Sequence, residues 1–204
     1  MKDEEILSEI RRTLEIEAES IAKLSRDLDG DAVLKTAHAI ADCRGKVILS
    51  ACGTSGAAAK KIAHSLCCIE RPALFLSPAD AVHGGLGVLQ KDDLLILISK
   101  GGNTSELTRL IPACKAKGAK LVVVSENPGS QLALSADIYL KVRVEREPCR
   151  FNMLATASTL AVIAAFDAVC IALMQLTGYT KEQFALIHPG GAVGERLLGK
   201  EQAK

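Results

Sequence analysis

Two runs of apolar residues in this chain each end in a turn rich in glycine and hydroxyl side chains, and each turn leads into a helical pattern. Strands expected at 46–51 and 93–98 are followed by Gly53-Thr54-Ser55-Gly56 and by the segment from Ser99 to Glu106. The first turn of a helix leaves backbone N–H groups without intrahelical acceptors, and the helix dipole adds positive potential there. Two such turns in one domain predict a site for one phosphorylated small ligand.

The apolar runs are continuous rather than alternating, which is typical of strands covered on both faces. Because helical patterns separate these strands, we expect an α/β fold: a three-layer sandwich with a five-stranded parallel sheet flanked by helices, as in flavodoxin-like folds. A single domain is expected over 1–204, with N-terminal helices in 1–43 and the core and a C-terminal loop in 46–198. Strands are predicted at 46–51, 73–77, 93–98, 120–125 and 137–142, and helices at 4–28, 32–43, 56–68, 104–117, 130–135 and 152–176.

The composition argues against several classes of partner. Lys and Arg together number 25 against 24 Asp and Glu, without a basic run, so a nucleic-acid partner is not expected. The seven cysteines are an odd number without Cys-x-x-Cys spacing, which favours reduced thiols in a cytoplasmic protein over disulfides or a metal site. The N-terminal Met-Lys-Asp-Glu-Glu predicts that no signal peptide is present.

One segment is apolar enough to raise the question of a membrane. Between Phe151 and Leu176 the only ionisable residue is Asp167. A charged residue in the middle of a lipid-spanning helix is costly. We therefore expect no membrane contact and a helix buried on nearly all sides, partly by another subunit.

The glycine turns do not fit the common nucleotide sites. No Gly-Lys-Ser/Thr follows the first turn, which excludes a P-loop, and the three-glycine dinucleotide fingerprint is incomplete. Taken alone, this turn is also compatible with a tight connection that binds nothing. The second turn is more specific, and Glu106 there either caps the next helix or lies beside the ligand. His83 and His188 each stand next to a glycine-rich loop.

Taken together, these residues resemble the sugar isomerase (SIS) family, and most of all its arabinose 5-phosphate isomerase branch. The resemblance covers about residues 40–198. It rests on Cys52–Gly56, Pro78–Gly87, Ser99–Glu106, Glu147-Pro148-Cys149 and the His-Pro-Gly-Gly-x-x-Gly segment that begins at His188.

The resemblance implies an aldose–ketose isomerase that moves a proton through an enediol, without a metal or an organic cofactor. It also implies a homotetramer with sites at subunit interfaces, in which His188 reaches the site of a neighbouring subunit. Acid–base work would fall to Glu106, Glu147 and His188, with His83 lining the same pocket. The substrate phosphate would be held by Gly53, Thr54, Ser55, Ser99, Gly102, Asn103 and Thr104.

The chain departs from the branch in three respects. Thr54 stands where the branch has a lysine, and Lys60, Lys61 or Lys100 would have to replace that charge. Gly101 stands where the branch has a second serine. The paired CBS domains that commonly follow are expected to be absent. These departures keep two alternatives open: a non-catalytic phosphosugar sensor, and an isomerase of a ketohexose 6-phosphate.

Overall fold

The computed structural model describes residues 2–190 and contains the five-stranded parallel sheet expected from the sequence. The strand order is β2-β1-β3-β4-β5, and every neighbouring pair runs parallel. This order changes direction between β1 and β3, which is where open parallel sheets bind ligands. The strands are β1 (Val47–Ala51), β2 (Ala73–Phe75), β3 (Leu94–Ile98), β4 (Lys120–Ser125) and β5 (Ile138–Lys141).

Helices cover both faces of the sheet. One apolar core lies between the sheet and α1, α2, α3 and α8, and a second lies between the sheet and the shorter α4 to α7. The helices are α1 (Asp3–Asp27), α2 (Gly30–Ala41), α3 (Gly53–Cys67), α4 (Pro78–Ala81), α5 (Ser105–Thr108), α6 (Ile111–Lys117), α7 (Gln131–Ser135), α8 (Ala157–Leu176) and α9 (Lys181–Ile187), with a short 3-10 helix at Gly85–Val88.

Alternate residues of each central strand enter different cores. In β1, Val47 and Leu49 contact the α3–α8 side, whereas Ile48 contacts the α5–α6 side. All five residues of β1 and all five of β3 are buried. This two-sided burial explains why the strands read as continuous apolar runs and confirms the three-layer prediction.

Several predicted boundaries were wrong. The helix expected at 104–117 is two helices. Pro112 has no N–H group to donate within a helix, and in a continuous helix its ring would clash with the carbonyl group four residues earlier. Helix α3 begins at Gly53 rather than at residue 56. Helix α8 begins at Ala157, five residues later than expected, and Asn152 before it has a φ of 55°.

Helix α8 is the one helix within residues 2–190 that is long and apolar enough to cross a membrane by length and composition. In this chain it packs against α1, α2 and α3 and forms part of the core. Asp167 on α8 pairs with Lys61 on α3. Within this single chain the helix is buried on one side, and Leu160, Ile171 and Leu176 are exposed. The predicted cover by another subunit stays a prediction.

Two aspartates hold the loops at the amino ends of the strands. Asp93 accepts hydrogen bonds from the backbone N–H groups of Lys46 and Gln90 and pairs with the Lys46 ammonium at 2.8 Å. Asp137 accepts from Leu121 N–H and pairs with Lys115. Burial opposes ionisation of both carboxyls, but these hydrogen bonds outweigh it and lower both pKa values below the ordinary 3.8. This edge is opposite the glycine turns.

Candidate active site

The two predicted phosphate turns lie side by side at the carboxyl edge of the sheet. Ala51 and Ile98 are register partners at the ends of β1 and β3, so Cys52 and Ser99 begin neighbouring loops. Strands pair at a spacing of about 4.8 Å. The two loops therefore adjoin each other at this edge of the sheet.

The first turn is the N-terminus of helix α3. Gly53 has a φ of 56°, and Gly56 packs so closely that an added Cβ would lie 3.1 Å from the Ala51 carbonyl oxygen. Thr54 is exposed and Ser55 is half-buried. The fifteen-residue helix thus begins at the sheet edge with first-turn N–H groups that have no intrahelical acceptor and with two hydroxyl side chains in its first turn.

The second turn is held in shape by its own serine. The Ser99 hydroxyl accepts a hydrogen bond from Gly102 N–H at 3.1 Å and shares another with the Thr104 hydroxyl at 2.8 Å. Ser99 is buried, so these contacts fix the loop from inside. The side-chain oxygen of Asn103 accepts a hydrogen bond from Gln131 N–H at 2.8 Å, which connects the loop to α7. Ser99, Thr104 and Asn103 therefore organise the loop in this structure.

A cleft of about 420 Å³ opens beside the first turn. It is bounded by the start of α3, by Phe75 and the residues after β2, and by Glu106. The Glu106 carboxylate accepts hydrogen bonds from its own backbone N–H and from the Ser105 hydroxyl, which lowers its pKa below the ordinary 4.5. Glu106 is exposed and ionised, and it faces the space next to the first turn.

Glu147 lies in the coil between β5 and α8, and its side chain is completely buried. One carboxylate oxygen accepts from the Lys100 ammonium at 2.8 Å. The other accepts from the backbone N–H groups of Thr156 at 3.0 Å and Ser158 at 3.4 Å. Burial favours the neutral acid, but hydrogen bonds from Lys100, Ser158 and Thr156 prevail and lower the pKa below 4.5.

The three lysines that the sequence offered in place of the branch lysine lie in different surroundings. Lys61 pairs with Asp167 on α8, away from the cleft. Lys60 lines the cleft, with its ammonium nitrogen 5.1 Å from the centre of the Phe75 ring. Lys100 belongs to the second turn itself and binds Glu147.

The two predicted site histidines are not brought to this cleft in a single chain. His83 is exposed on the loop after α4. His188 stacks on Phe184 at 3.9 Å between ring centroids, and its Nδ1 lies 2.9 Å from the Phe184 carbonyl oxygen. Within residues 2–190, the cleft is lined by Glu106 but not by Glu147, His83 or His188.

The contacts of α9 explain the position of His188. Tyr179 donates from its hydroxyl to the Cys68 carbonyl, and Gln183 donates from its amide to Glu70. Both acceptors follow the last residue of α3, about 22 Å along that helix from the first turn. The remaining glycines of the predicted His188 loop, at 191 and 194, lie outside the described residues.

The ion pair between Lys100 and Glu147 was missed by sequence reasoning. The two residues are 47 positions apart, and the coil around Glu147 has no periodicity that would place it. The available signal was chemical: Lys100 sits inside a loop predicted to bind an anion, and Glu147 belongs to a quoted motif. A lysine and a carboxylate assigned to the same site can be expected to form an ion pair.

Comparison with known proteins places the chain in a family. Residues 39–172 match the SIS domain family. The arabinose 5-phosphate isomerase GutQ of Escherichia coli K12 is 39% identical over 197 residues, which are 97% of this chain and 61% of that protein. The chain therefore spans about three-fifths of the length of this curated relative.

Solved structures agree with the fold over nearly the whole chain. A candidate sugar-phosphate isomerase from Listeria monocytogenes is 59% identical, with a TM-score of 0.92 over 93% of this chain and 100% of that one. An Escherichia coli CFT073 protein in complex with arabinose 5-phosphate is 30% identical, with a TM-score of 0.88 over 93% of this chain and 100% of that one. The chain belongs to the SIS-domain family.

Proposed function

We propose that this chain is a sugar-phosphate aldose–ketose isomerase of the arabinose 5-phosphate/ribulose 5-phosphate type. The observation that carries the proposal is the pairing of two anion-binding turns on adjacent strands with two carboxylates beside them. Glu106 lines the cleft at the first turn, and Glu147 is bound to Lys100 of the second turn. The resemblance to GutQ and to the protein solved with arabinose 5-phosphate supports the choice of substrate.

The reaction needs little beyond these groups. A base removes the proton from C2 of the open-chain aldose while an acid protonates the C1 carbonyl oxygen, which forms the enediol. Return of a proton to C1 and loss of the proton on the C2 oxygen give the ketose. Aldose and ketose are isomers, so no electron acceptor is consumed. A phosphate remote from C1 and C2 supplies orientation.

We assign Glu147 as the base that moves the carbon-bound proton and Glu106 as a group that handles the oxygen-bound protons. Glu147 is shielded from water, and Glu106 is open to the cleft. The phosphate would be held by the first-turn N–H groups of α3 with Ser55 and Thr54, and by the turn that Ser99 and its partners shape. His188 of a neighbouring subunit would take part in the proton transfers, and His83 would line the same pocket.

The test is proton NMR of a panel of sugar phosphates incubated with the protein in D2O. Deuterium at C2 of the aldose together with the appearance of the ketose is the expected result for arabinose 5-phosphate. Turnover of a ketohexose 6-phosphate in its place would reassign the substrate. Binding of these sugars without exchange in any of them would favour the phosphosugar sensor, a function that the Thr54 departure motivates.

We further propose that the active form is a homotetramer in which His188 serves a neighbouring subunit. The anchoring of α9 at the far end of α3 supports this arrangement, because His188 follows this helix and does not line the cleft of its own chain. Coexpressed Glu147→Gln and His188→Ala chains should then regain turnover at about a quarter of the sites, since some sites combine both intact residues. No recovery in the mixture would assign His188 to its own subunit.

The setting we propose is the cytoplasm, without a membrane, nucleic-acid, metal or organic-cofactor requirement. All seven cysteines carry free thiols, as expected in a reducing compartment. The formal net charge is +1, which gives little attraction for a polyanion. Fractionation of cells that express the protein tests this assignment, and recovery in the membrane pellet would contradict it.

A further inference from the structure

The contacts of Glu147 conflict with the task of a proton-abstracting base. Both of its oxygens are occupied, one by the Lys100 ammonium and the other by two backbone N–H groups at the start of α8. A carboxylate held in this way is stabilised as the anion and is a poor proton acceptor. General bases work best when their pKa lies near the operating pH. Without substrate, Glu147 is therefore ionised, but both of its oxygens already accept hydrogen bonds.

The partner of Glu147 comes from the phosphate-binding turn. Lys100 lies between Ser99, which shapes that turn, and Gly101. Its side chain is 38% exposed, whereas that of Glu147 is completely buried. Lys100 therefore links the buried carboxylate to the turn in which we expect the phosphate to bind.

We propose that Lys100 is a phosphate-operated switch: the substrate phosphate draws its ammonium group away from Glu147, and the released carboxylate oxygen accepts the C2 proton. This inference rests on the proposed isomerase function. It gives Lys100, one of the three lysines that the sequence offered in place of the branch lysine, a second role as the partner that controls Glu147.

The backbone around Lys100 allows the side chain to move while the turn stays in place. Its carbonyl oxygen accepts from Glu126 N–H at 3.0 Å and from the Ser125 hydroxyl at 3.3 Å, so the main chain is fixed. The Lys100 side chain is itself partly exposed, so it is not enclosed by the core. The four-carbon lysine side chain is flexible, so the ammonium group can change partners while the backbone stays fixed.

The exchange of partners is favourable by charge. A sugar phosphate carries close to two negative charges at neutral pH, against one on the carboxylate. When Lys100 leaves, Glu147 keeps its two backbone donors and loses the cation that pairs with it among the described residues. Arg12 of α1 is close by, but it donates to the neighbouring Pro148 carbonyl at 2.6 Å. Burial then favours protonation, and Glu147 becomes a stronger base only when substrate is bound.

The proton step balances with these groups. The freed oxygen of Glu147 takes the C2 proton, and the C–H electron pair becomes the C1–C2 double bond of the enediol. The carbonyl pair goes to the C1 oxygen, which takes a proton from an acid. The same carboxyl then returns its proton to C1, where the C1–C2 double-bond pair forms the new C–H bond. The C2 hydroxyl gives its proton to the conjugate base of the acid that protonated the C1 oxygen, and the O–H pair becomes the C2 carbonyl bond of the ketose. Lys100 can pair with Glu147 again when the product phosphate leaves.

The kinetic test compares pH profiles of the wild-type enzyme with Lys100→Met and Lys100→Arg. The acid limb of kcat/KM reports the free enzyme and that of kcat reports the substrate complex. In the wild type, we expect the kcat limb at higher pH. Lys100→Met should move the kcat/KM limb up toward the kcat limb and raise KM by about 10- to 100-fold, the loss expected for a hydrogen bond to a charged group. Lys100→Arg should restore the separation of the two limbs.

Lys61→Met is the matched control, because Lys61 is a paired lysine that does not line the cleft. It should leave KM and both limbs unchanged. The substrate phosphate titrates near pH 6 in every variant, so the differences between variants carry the information. An unchanged KM and an unchanged acid limb in Lys100→Met, with circular dichroism confirming the fold, would overturn the proposal.

A second measurement separates this proposal from the isomerase assignment. Carbon-13 NMR of labelled glutamate follows the Glu147 carboxyl with and without saturating arabinose 5-phosphate, or inorganic phosphate as the simplest probe. The pKa of Glu147 should rise on binding in the wild type and stay constant in Lys100→Met. A Glu147 pKa that is unmoved by binding refutes the switch. Absence of deuterium exchange in every sugar phosphate refutes the isomerase while leaving this titration readable.

Discussion

Gly102 is the position at which a single methyl group should do the most damage to the site. Its φ is 72°, in the left-handed region that residues with a Cβ rarely adopt. A Cβ there would lie 2.5 Å from the Ser130 Cβ and 2.8 Å from the Ser125 hydroxyl oxygen. Both serines are buried, so neither can turn away into solvent. Gly102→Ala must therefore displace the turn, α7 or both.

Two costs combine in this variant. Forcing an alanine into the left-handed region costs about 1–2 kcal/mol. Overpacking a buried contact costs about 1–3 kcal/mol more. We therefore expect Gly102→Ala to lower the free energy of unfolding by about 2–5 kcal/mol, which for a chain of this size lowers Tm by about 4–20 °C. The displaced turn also loses the hydrogen bond from Gly102 N–H to Ser99, so phosphate affinity should fall as well.

The neighbouring Gly101→Ala is the matched control. Its φ is not in the left-handed region, and an added Cβ would meet no atom within 4 Å. Thermal unfolding followed by circular dichroism should place Gly101→Ala within about 0.5 kcal/mol of the wild type, the usual range for an open site. Arabinose 5-phosphate binding by calorimetry gives the functional readout. If the two variants unfold alike, the packing around Gly102 does not constrain the turn and the reasoning fails.

Two further predictions follow from the polar contacts. Ser99→Ala removes the acceptor for Gly102 N–H and the partner of Thr104. The KM for the sugar phosphate should therefore rise about tenfold, which corresponds to a loss of about 1.4 kcal/mol. An unchanged KM in steady-state kinetics would show that this serine does not contribute to phosphate binding. Asp93 and Asp137 have lowered pKa values in the folded chain, so the unfolded chain binds protons more readily. The free energy of unfolding should hold steady above about pH 5 and fall as the pH drops below it. Asp93→Asn should show a shallower acid slope in urea titrations, and an identical slope would contradict the role of this carboxylate.

The sheet and the two turns were predictable because each depends on residues adjacent in sequence. The run Leu94–Ile98 is long enough to cross the core and is buried on both faces, which indicates a parallel strand. In a parallel sheet the turns after the strands share one edge, so Gly53 and Ser99 had to be neighbours if β1 and β3 paired. That pairing is the feature of topology on which the site depends.

Other parts of the site depend on contacts that no local pattern encodes. The coil from residue 142 to 156 has neither helical nor strand periodicity, and its shape is set by Asn152 at positive φ, whose side-chain oxygen accepts from Glu147 N–H at 2.7 Å. The break between α5 and α6 was readable from Pro112, but the helical pattern around it favoured one continuous helix. The direction of α9 is set by Tyr179 bonding to Cys68, a contact across 111 residues.

The proposed role of Lys100 explains two departures of this chain from its relatives together. Thr54 removes a positive charge from the helix side of the phosphate, and Gly101 removes a hydroxyl group from the strand side. Lys100 adds a charge in that second turn, and its side chain is partly exposed. Because the same ammonium neutralises Glu147 when no phosphate is bound, this arrangement couples phosphate recognition to the readiness of the base. Thr54→Lys should therefore improve phosphate binding, whereas the coupling should still depend on Lys100, which is the residue paired with Glu147.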